Sequence, residues 1–166
     1  GTFVLHGNFG VAAHRHQLRE YLEALNEGIG RHPATALLYA VRAELERSPS
    51  LCLYDEALRD CRKSCALAPG SAGLWANLGR AQNFAAGGRA GIGSLSRALR
   101  QCPRSGWMRA WRGAIYARLG ERERALVDLN GCVSRMPWYA QAYSWRGALL
   151  NSMGRPAQAC RDLDRA

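Results

Sequence analysis

Small and apolar residues recur in fixed columns along this chain. With blocks begun at Ala72, Gly106 and Ala140, a period of 34 residues aligns Gly79, Gly113 and Gly147 at the eighth position. Gly120 and Gly154 share the fifteenth, and Gly91, Ala125 and Ala159 the twentieth. Leu95, Leu129 and Leu163 share the twenty-fourth, Ala98, Cys132 and Ala166 the twenty-seventh, and Pro103 and Pro137 the thirty-second. Three registers in step over so many columns identify an internal repeat. The punctuation predicts two antiparallel helices of about twelve to fourteen residues in each block. Small residues at the eighth and twentieth columns let the two helices approach, and leucine at the twenty-fourth fills the space between them. Gly120 and Gly154 stand where a first helix ends, and Pro103 and Pro137 where a second helix stops.

An earlier block carries the same columns with an insertion. Ala57, Cys61, Ser64 and Pro69 fall in register, Tyr39 and Ala43 stand where Trp75 and Gly79 stand later, and the join SPSLC is two residues longer. Before it, QLREYLEALNEGIGRHP reads as the second helix of a still earlier hairpin or as a capping helix, preceded by a non-repeat lead-in. The predicted organisation is therefore a segment 1–33, then a repeat domain 34–166 divided as 34–71, 72–105, 106–139 and 140–166. The fold class is all-α, a solenoid of helix hairpins in which each hairpin buries its apolar faces on its neighbours.

Two charged columns covary within the chain. Arg42, Arg112 and Arg146 occupy the seventh position, and Asp60, Asp128 and Asp162 the twenty-third of the same blocks; the block with Leu78 at the seventh has Ser94 at the twenty-third. A lone buried charge is expensive, so the joint presence predicts an ion pair between the two helices of a hairpin. These six residues read as structural, not catalytic.

Composition narrows the function. Hydrophobic residues make up 48%, as in a folded domain, and no apolar run is long enough for a membrane span. The start of the chain lacks the features of a signal peptide and has no initiator Met, which suggests a processed or excised chain. The six cysteines include no CxxC pair, and the four histidines all precede the first cysteine, so neither a disulfide framework nor a metal site is expected. Cys61, Cys65, Cys132 and Cys160 read as small, buried helical thiols, which fits a reducing, cytoplasmic setting. No HExxH, GxSxG or phosphate-binding glycine loop occurs, so no enzyme and no cofactor is expected. NFAAGGRAGIG reads as an interhelical turn and a helix loosened by Gly91 and Gly93.

The net charge of +10 is uneven. Residues 1–68 balance eight basic against eight acidic groups, whereas residues 69–120 hold eight arginines and no acid. An acidic partner would be attracted to that stretch. The competing explanation is compositional, since every basic residue but Lys63 is arginine.

The segments WANLGRAQ, WRGAIYARLGERERALVDLNGCV and YSWRGALLNSMGRPAQACRDLDRA resemble the tetratricopeptide repeat, over roughly residues 34–166. The resemblance implies a right-handed superhelix whose first helices line a concave groove for a protein or peptide. Carried onto this chain, the groove positions give Arg80, Asn83, Phe84, Trp107, Arg118, Gln141 and Asn151 as candidate protein-binding residues, and Asn77, at a position of the carboxylate-clamping set, and Trp111, at the groove edge, join them. Arg80 and Arg118 suit carboxylates or phosphates, Asn83 and Asn151 an extended backbone, and Phe84 and Trp107 apolar anchoring. Members that clamp a chaperone's C-terminal carboxylate use a basic and amide set. The matching positions here are Ala40, Glu44, Asn77, Trp107 and Trp111, of which only Asn77 agrees, so that ligand is not expected.

The expected function is a non-catalytic scaffold or adaptor binding a peptide or protein partner, with acidic character favoured by the charge. Two alternatives stand beside it: an adaptor module of a larger enzyme or complex, and a basic nucleic-acid-binding helical repeat. The last block stops within its second helix without a polar cap, which predicts self-association through that face.

Overall fold

The computed structural model describes residues 5–85 and 87–166, with side chains from His14 onward. All regular structure among them is helical: α1 (Leu5–Arg31), α2 (Ala36–Glu46), α3 (Tyr54–Leu67), α4 (Ala72–Ala85), α5 (Arg89–Gln101), α6 (Gly106–Arg118), α7 (Arg122–Val133), α8 (Ala140–Ser152) and α9 (Pro156–Leu163). Residues 1–4 lie outside the described residues. The chain divides into two compact units, one ending at Gly70 and one running Ser71–Ala166.

In the first unit, α2 and α3 form an antiparallel hairpin, and α1 packs beside α2. The predicted lead-in from residue 5 onward and the helix after it are one continuous α1 of 27 residues. No proline interrupts the chain before Pro33, so nothing in the covalent structure forces a stop. Ala43 and Ala57 are nearly fully buried at the columns that later hold glycine or alanine.

In the second unit, α4–α5, α6–α7 and α8–α9 are three hairpins, and each second helix packs on the first helix of the next. These stacked antiparallel pairs form a tetratricopeptide-like solenoid. Close approach within each pair is enforced by the predicted columns. A Cβ added at Gly79 would sit 2.7 Å from Leu95 Cγ, and one at Gly113 2.9 Å from Leu129 Cγ. Leu95, Leu129 and Ile115 are fully buried between the helices.

Helix ends follow local chemistry. The Ser105 hydroxyl accepts from the Met108 N–H and caps α6. Pro156 opens α9 at a position where its missing N–H costs nothing. Gly120 and Gly154 have φ of +78° and +72°, so they end α6 and α8 in the left-handed conformation expected of them. Helix α5 runs unbroken from Arg89 to Gln101 despite its two glycines, because Gly91 is a packing residue. A Cβ there would meet the Gly79 carbonyl oxygen at 2.6 Å.

The predicted ion pairs are present, and each is bidentate. Arg42 donates to Asp60 at 2.5 and 2.7 Å, Arg112 to Asp128 at 2.6 and 2.9 Å, and Arg146 to Asp162 at 2.6 and 2.6 Å. The hydrogen bonds to aspartate raise each guanidinium's pKa, against burial, which lowers it. The remaining nitrogen reaches backwards: Arg42 to Asn26 of α1, Arg112 to Ser96 of α5, and Arg146 to Asn130 of α7. Each arginine thus ties three consecutive helices. In α4–α5, Leu78 is buried instead, and the Ser94 hydroxyl donates to Gln82 Oε1 at 2.7 Å.

The six cysteines are free. Cys61, Cys65 and Cys132 are buried as read from the sequence, and burial pushes the Cys61 thiol up to about 12. Cys160 is exposed, because α9 turns Ala159 and Asp162, not Cys160, inward.

Candidate peptide-binding groove

The first helices of the second unit's hairpins, α4, α6 and α8, line a recess of about 440 Å³. Its floor is open because Ala114 and Ala117 of α6 and Ala148 of α8 carry only a methyl group. Its aromatic side is a ladder. Phe84 meets Trp111 edge-on at 6.2 Å between ring centres, and Trp111 meets Trp145 edge-on at 4.9 Å. Such contacts stabilise ring pairs by about 0.5–1.5 kcal/mol beyond their burial. The ladder therefore crosses three helices and fixes the shape of the wall. Phe84 is 45% exposed, so one face of it is open to a ligand.

Polar groups meet the apolar surface at one end. Arg118, at the close of α6, lines the recess and donates to the Asn83 carbonyl at 2.9 Å, near the carboxyl end of α4. A cation there complements the helix dipole and answers a carbonyl that has no partner within its own helix. Asn83 also lines the recess, and its buried Oδ1 accepts no hydrogen bond among the described residues. An unsatisfied buried acceptor costs about 1–3 kcal/mol until something donates to it.

Of the residues singled out from sequence, the recess brings together Asn83, Phe84, Trp111 and Arg118. Arg80 stands behind it, its guanidinium 4.7 Å from the Trp111 ring centre and 5.5 Å from that of Trp107. It supports the aromatic wall by cation–π contact. Trp107 packs against the cluster of Ala76, Leu95, Leu99 and Met108. Asn77 is half-buried on α4, and Gln141 and Asn151 are exposed on α8; none of the three lines this recess.

Trp145 and Leu149 belong to the lining. Trp145 shares a repeat column with Trp111, and that recurrence was the signal available for it. Leu149 carried none, since its column is otherwise ordinary core. Tyr139 sits nearby in the cluster with Trp145 and Cys132. Its phenol pKa is raised by burial and by Cys132, against Arg80 and the Trp111 N–H, which lower it.

The described residues contain no group of three or more His, Cys, Asp or Glu side chains placed to hold a metal ion. No described helix is long and apolar enough to cross a membrane.

No protein-family model matches this sequence, and no curated protein matches it. Solved structures do. The chain is similar to PilW, a widely conserved type IV pilus biogenesis factor, with a TM-score of 0.80 and 19% identity over 95% of this chain and 73% of that one. It is similar to TTC0263, a thermophilic TPR protein in Thermus thermophilus, at 0.75 and 23% over 96% and 89%. It is also similar to YrrB, a TPR protein with an unusual peptide-binding site, at 0.67 and 17% over 94% and 79%. At these identities the likeness is one of fold: a tetratricopeptide-like helical repeat.

Proposed function

We propose that this chain is a non-catalytic interaction scaffold whose α4–α6–α8 recess holds an extended peptide segment of a partner protein. The observation that carries the reading is the aromatic ladder over an alanine floor, bounded at one end by Asn83 and Arg118. Apolar side chains of the peptide lie against Phe84 and Trp145. Rigid aromatic anchors of this kind concentrate binding energy. The partner is acidic around that segment: the second unit carries fifteen arginines against five acidic residues, and none of the acidic residues lines the recess. That field steers association more than it sets affinity. The likeness to a TPR protein titled for its peptide-binding site agrees with a peptide ligand.

A displayed random-peptide library selected on this protein tests the reading. Selected peptides should quench or shift the emission of Trp111 and Trp145. Phe84→Ala, and Ala148→Gln, which fills the floor from an exposed position, should each weaken them about tenfold or more. Peptides that bind both variants as well as the parent would place recognition elsewhere. Selection of nothing, together with saturable binding of single-stranded oligonucleotide, would favour the nucleic-acid alternative.

A further inference from the structure

Helix α8 presents a different face to a second recess, of about 390 Å³, formed with α7 and α9. Its character is the reverse of the groove's. Arg146, Arg155, Arg161 and Arg165 all line it, and Asp162 is the acidic residue among them. The Arg146–Asp162 pair is bidentate and internally neutral, and Asn130 takes up the remaining nitrogen of Arg146. The guanidinium groups of Arg155, Arg161 and Arg165 are left: the three residues are exposed, and these side chains make no hydrogen bond or ion pair to another described residue. Three arginines thus line one small space with no carboxylate paired to them.

Their placement follows from the chain. Gly154 turns the backbone at φ +72°, and Arg155 is the next residue, at the N-cap of α9. Arg161 lies in the last turn of α9 and Arg165 just beyond its C-cap Asp164, where the Arg165 N–H donates to the Asp162 carbonyl at 3.0 Å; both line the recess with Gln158. Leu126 and Leu150 supply an aliphatic wall. The recess thus offers a charged end, a neutral amide and an apolar flank, at the size of a side chain and not of a duplex.

We propose that this recess binds a phosphorylated side chain, phosphoserine or phosphothreonine, of a partner polypeptide. A phosphomonoester carries about −1.5 to −2 charges at neutral pH and three acceptor oxygens, which suits several convergent arginines. A single carboxylate would leave most of the charge unanswered. The carbon stem of the phosphorylated residue packs on Leu126 and Leu150, and Gln158 donates to a phosphate oxygen. The inference does not rest on the groove, which uses other residues of α8.

The test compares a phosphoserine-centred degenerate peptide library with its unphosphorylated counterpart, at an ionic strength of roughly 0.15 M so that diffuse attraction is screened. Phenyl phosphate, a nucleoside monophosphate and a single-stranded oligonucleotide are titrated in parallel. The phosphorylated library should bind about tenfold or more tightly than the unphosphorylated one. R161Q/R165Q should remove that preference. The charge-matched control R100Q/R104Q, altered at exposed positions outside the recess, should keep it, with thermal melts confirming that both variants fold. Equal binding of the two libraries, or equal losses in the two double variants, would overturn the proposal. Nucleoside monophosphate binding as tightly as the phosphorylated library would overturn the assignment to a polypeptide. Oligonucleotide binding more tightly than either library, and lost in R161Q/R165Q, would reassign the recess to nucleic-acid phosphates.

Discussion

In the α6–α7 hairpin, Arg112 reaches from one helix to a buried Asp128 on the other and back to Ser96 on α5. In the adjacent α4–α5 hairpin the same two columns hold Leu78 and Ser94, and the polar contact is a neutral hydrogen bond from Ser94 to Gln82. Both hairpins close on glycine, and both bury a leucine completely at the twenty-fourth column. The fold therefore accepts either an ionic or a neutral tie at this level. What it does not accept is half of the ionic one. Asp128 is only 3% exposed along its side chain, and Arg112 21%. Desolvation of the two charges is offset only by the bidentate geometry between them. The ion pair adds what the neutral tie lacks, a direction that fixes three helices at once.

The comparison breaks most visibly if the pair is cut. Asp128→Ala leaves Arg112 and the neighbouring Arg109 facing a buried site with no carboxylate, and should cost about 3–5 kcal/mol in urea unfolding. The double variant Arg112→Leu, Asp128→Ser copies the α4–α5 solution and should recover most of that, ending within about 1 kcal/mol of the parent. A double variant as unstable as Asp128→Ala would mean that the ionic tie is needed in its own right.

A third version of the tie carries an extra acid. In α2–α3, Glu46 lies 3.7 Å from Arg42, which is already committed to Asp60. Glu46 is buried, and its Oε2 accepts no hydrogen bond among the described residues. Burial, and then the charge of Asp60, raise its pKa from 4.5 to about 7, while Arg42 opposes the shift; Glu56 adds to the rise and Arg59 opposes it. The folded chain thus holds this proton more tightly than the unfolded chain does. Stability associated with it is fully present below about pH 4.5 and is lost as pH rises through about 7. Glu46→Gln should match the parent at low pH and exceed it above pH 7, by up to about 3 kcal/mol. Parallel pH curves for parent and variant would show that the charged Glu46 is accommodated by Arg42.

The columns that recur in identity were legible in the sequence, and those that recur only in role were not. Glycine at the eighth position and the Arg–Asp covariation repeat as the same residues, so alignment of the chain with itself revealed them. The third partner of each arginine is Asn26, Ser96 or Asn130, always sixteen residues upstream. Its identity varies, and it belongs to the preceding block, so no column announced it. The aromatic ladder joins Phe84 from the thirteenth position to Trp111 and Trp145 from the sixth. Their meeting depends on side-chain rotamers across three helices, which periodicity does not encode. The arginine recess on α9 was hidden by composition, because in a chain whose basic residues are almost all arginine another three raise no signal.

The smallest effects separate the two glycines of α5, which the sequence presented as equivalent weaknesses. Intrinsic helix propensity favours alanine over glycine by about 0.5–1 kcal/mol at either site. At Gly93 a Cβ meets nothing within 4 Å, so Gly93→Ala should gain that amount. At Gly91 the same Cβ would press on the Gly79 carbonyl at 2.6 Å and on Ile115 Cδ1 at 3.0 Å. A backbone oxygen cannot swing aside as a side chain can, so the α4–α5 interface must open. Gly91→Ala should therefore lose about 1–3 kcal/mol despite its better propensity. Gly79 faces the same gap from α4, so adding Ala there to Gly91→Ala should not restore the loss. Melting the two single variants side by side reads out the difference directly. A gain at both sites would mean that α5 is held by its own helical propensity, and that the close approach to α4 contributes little.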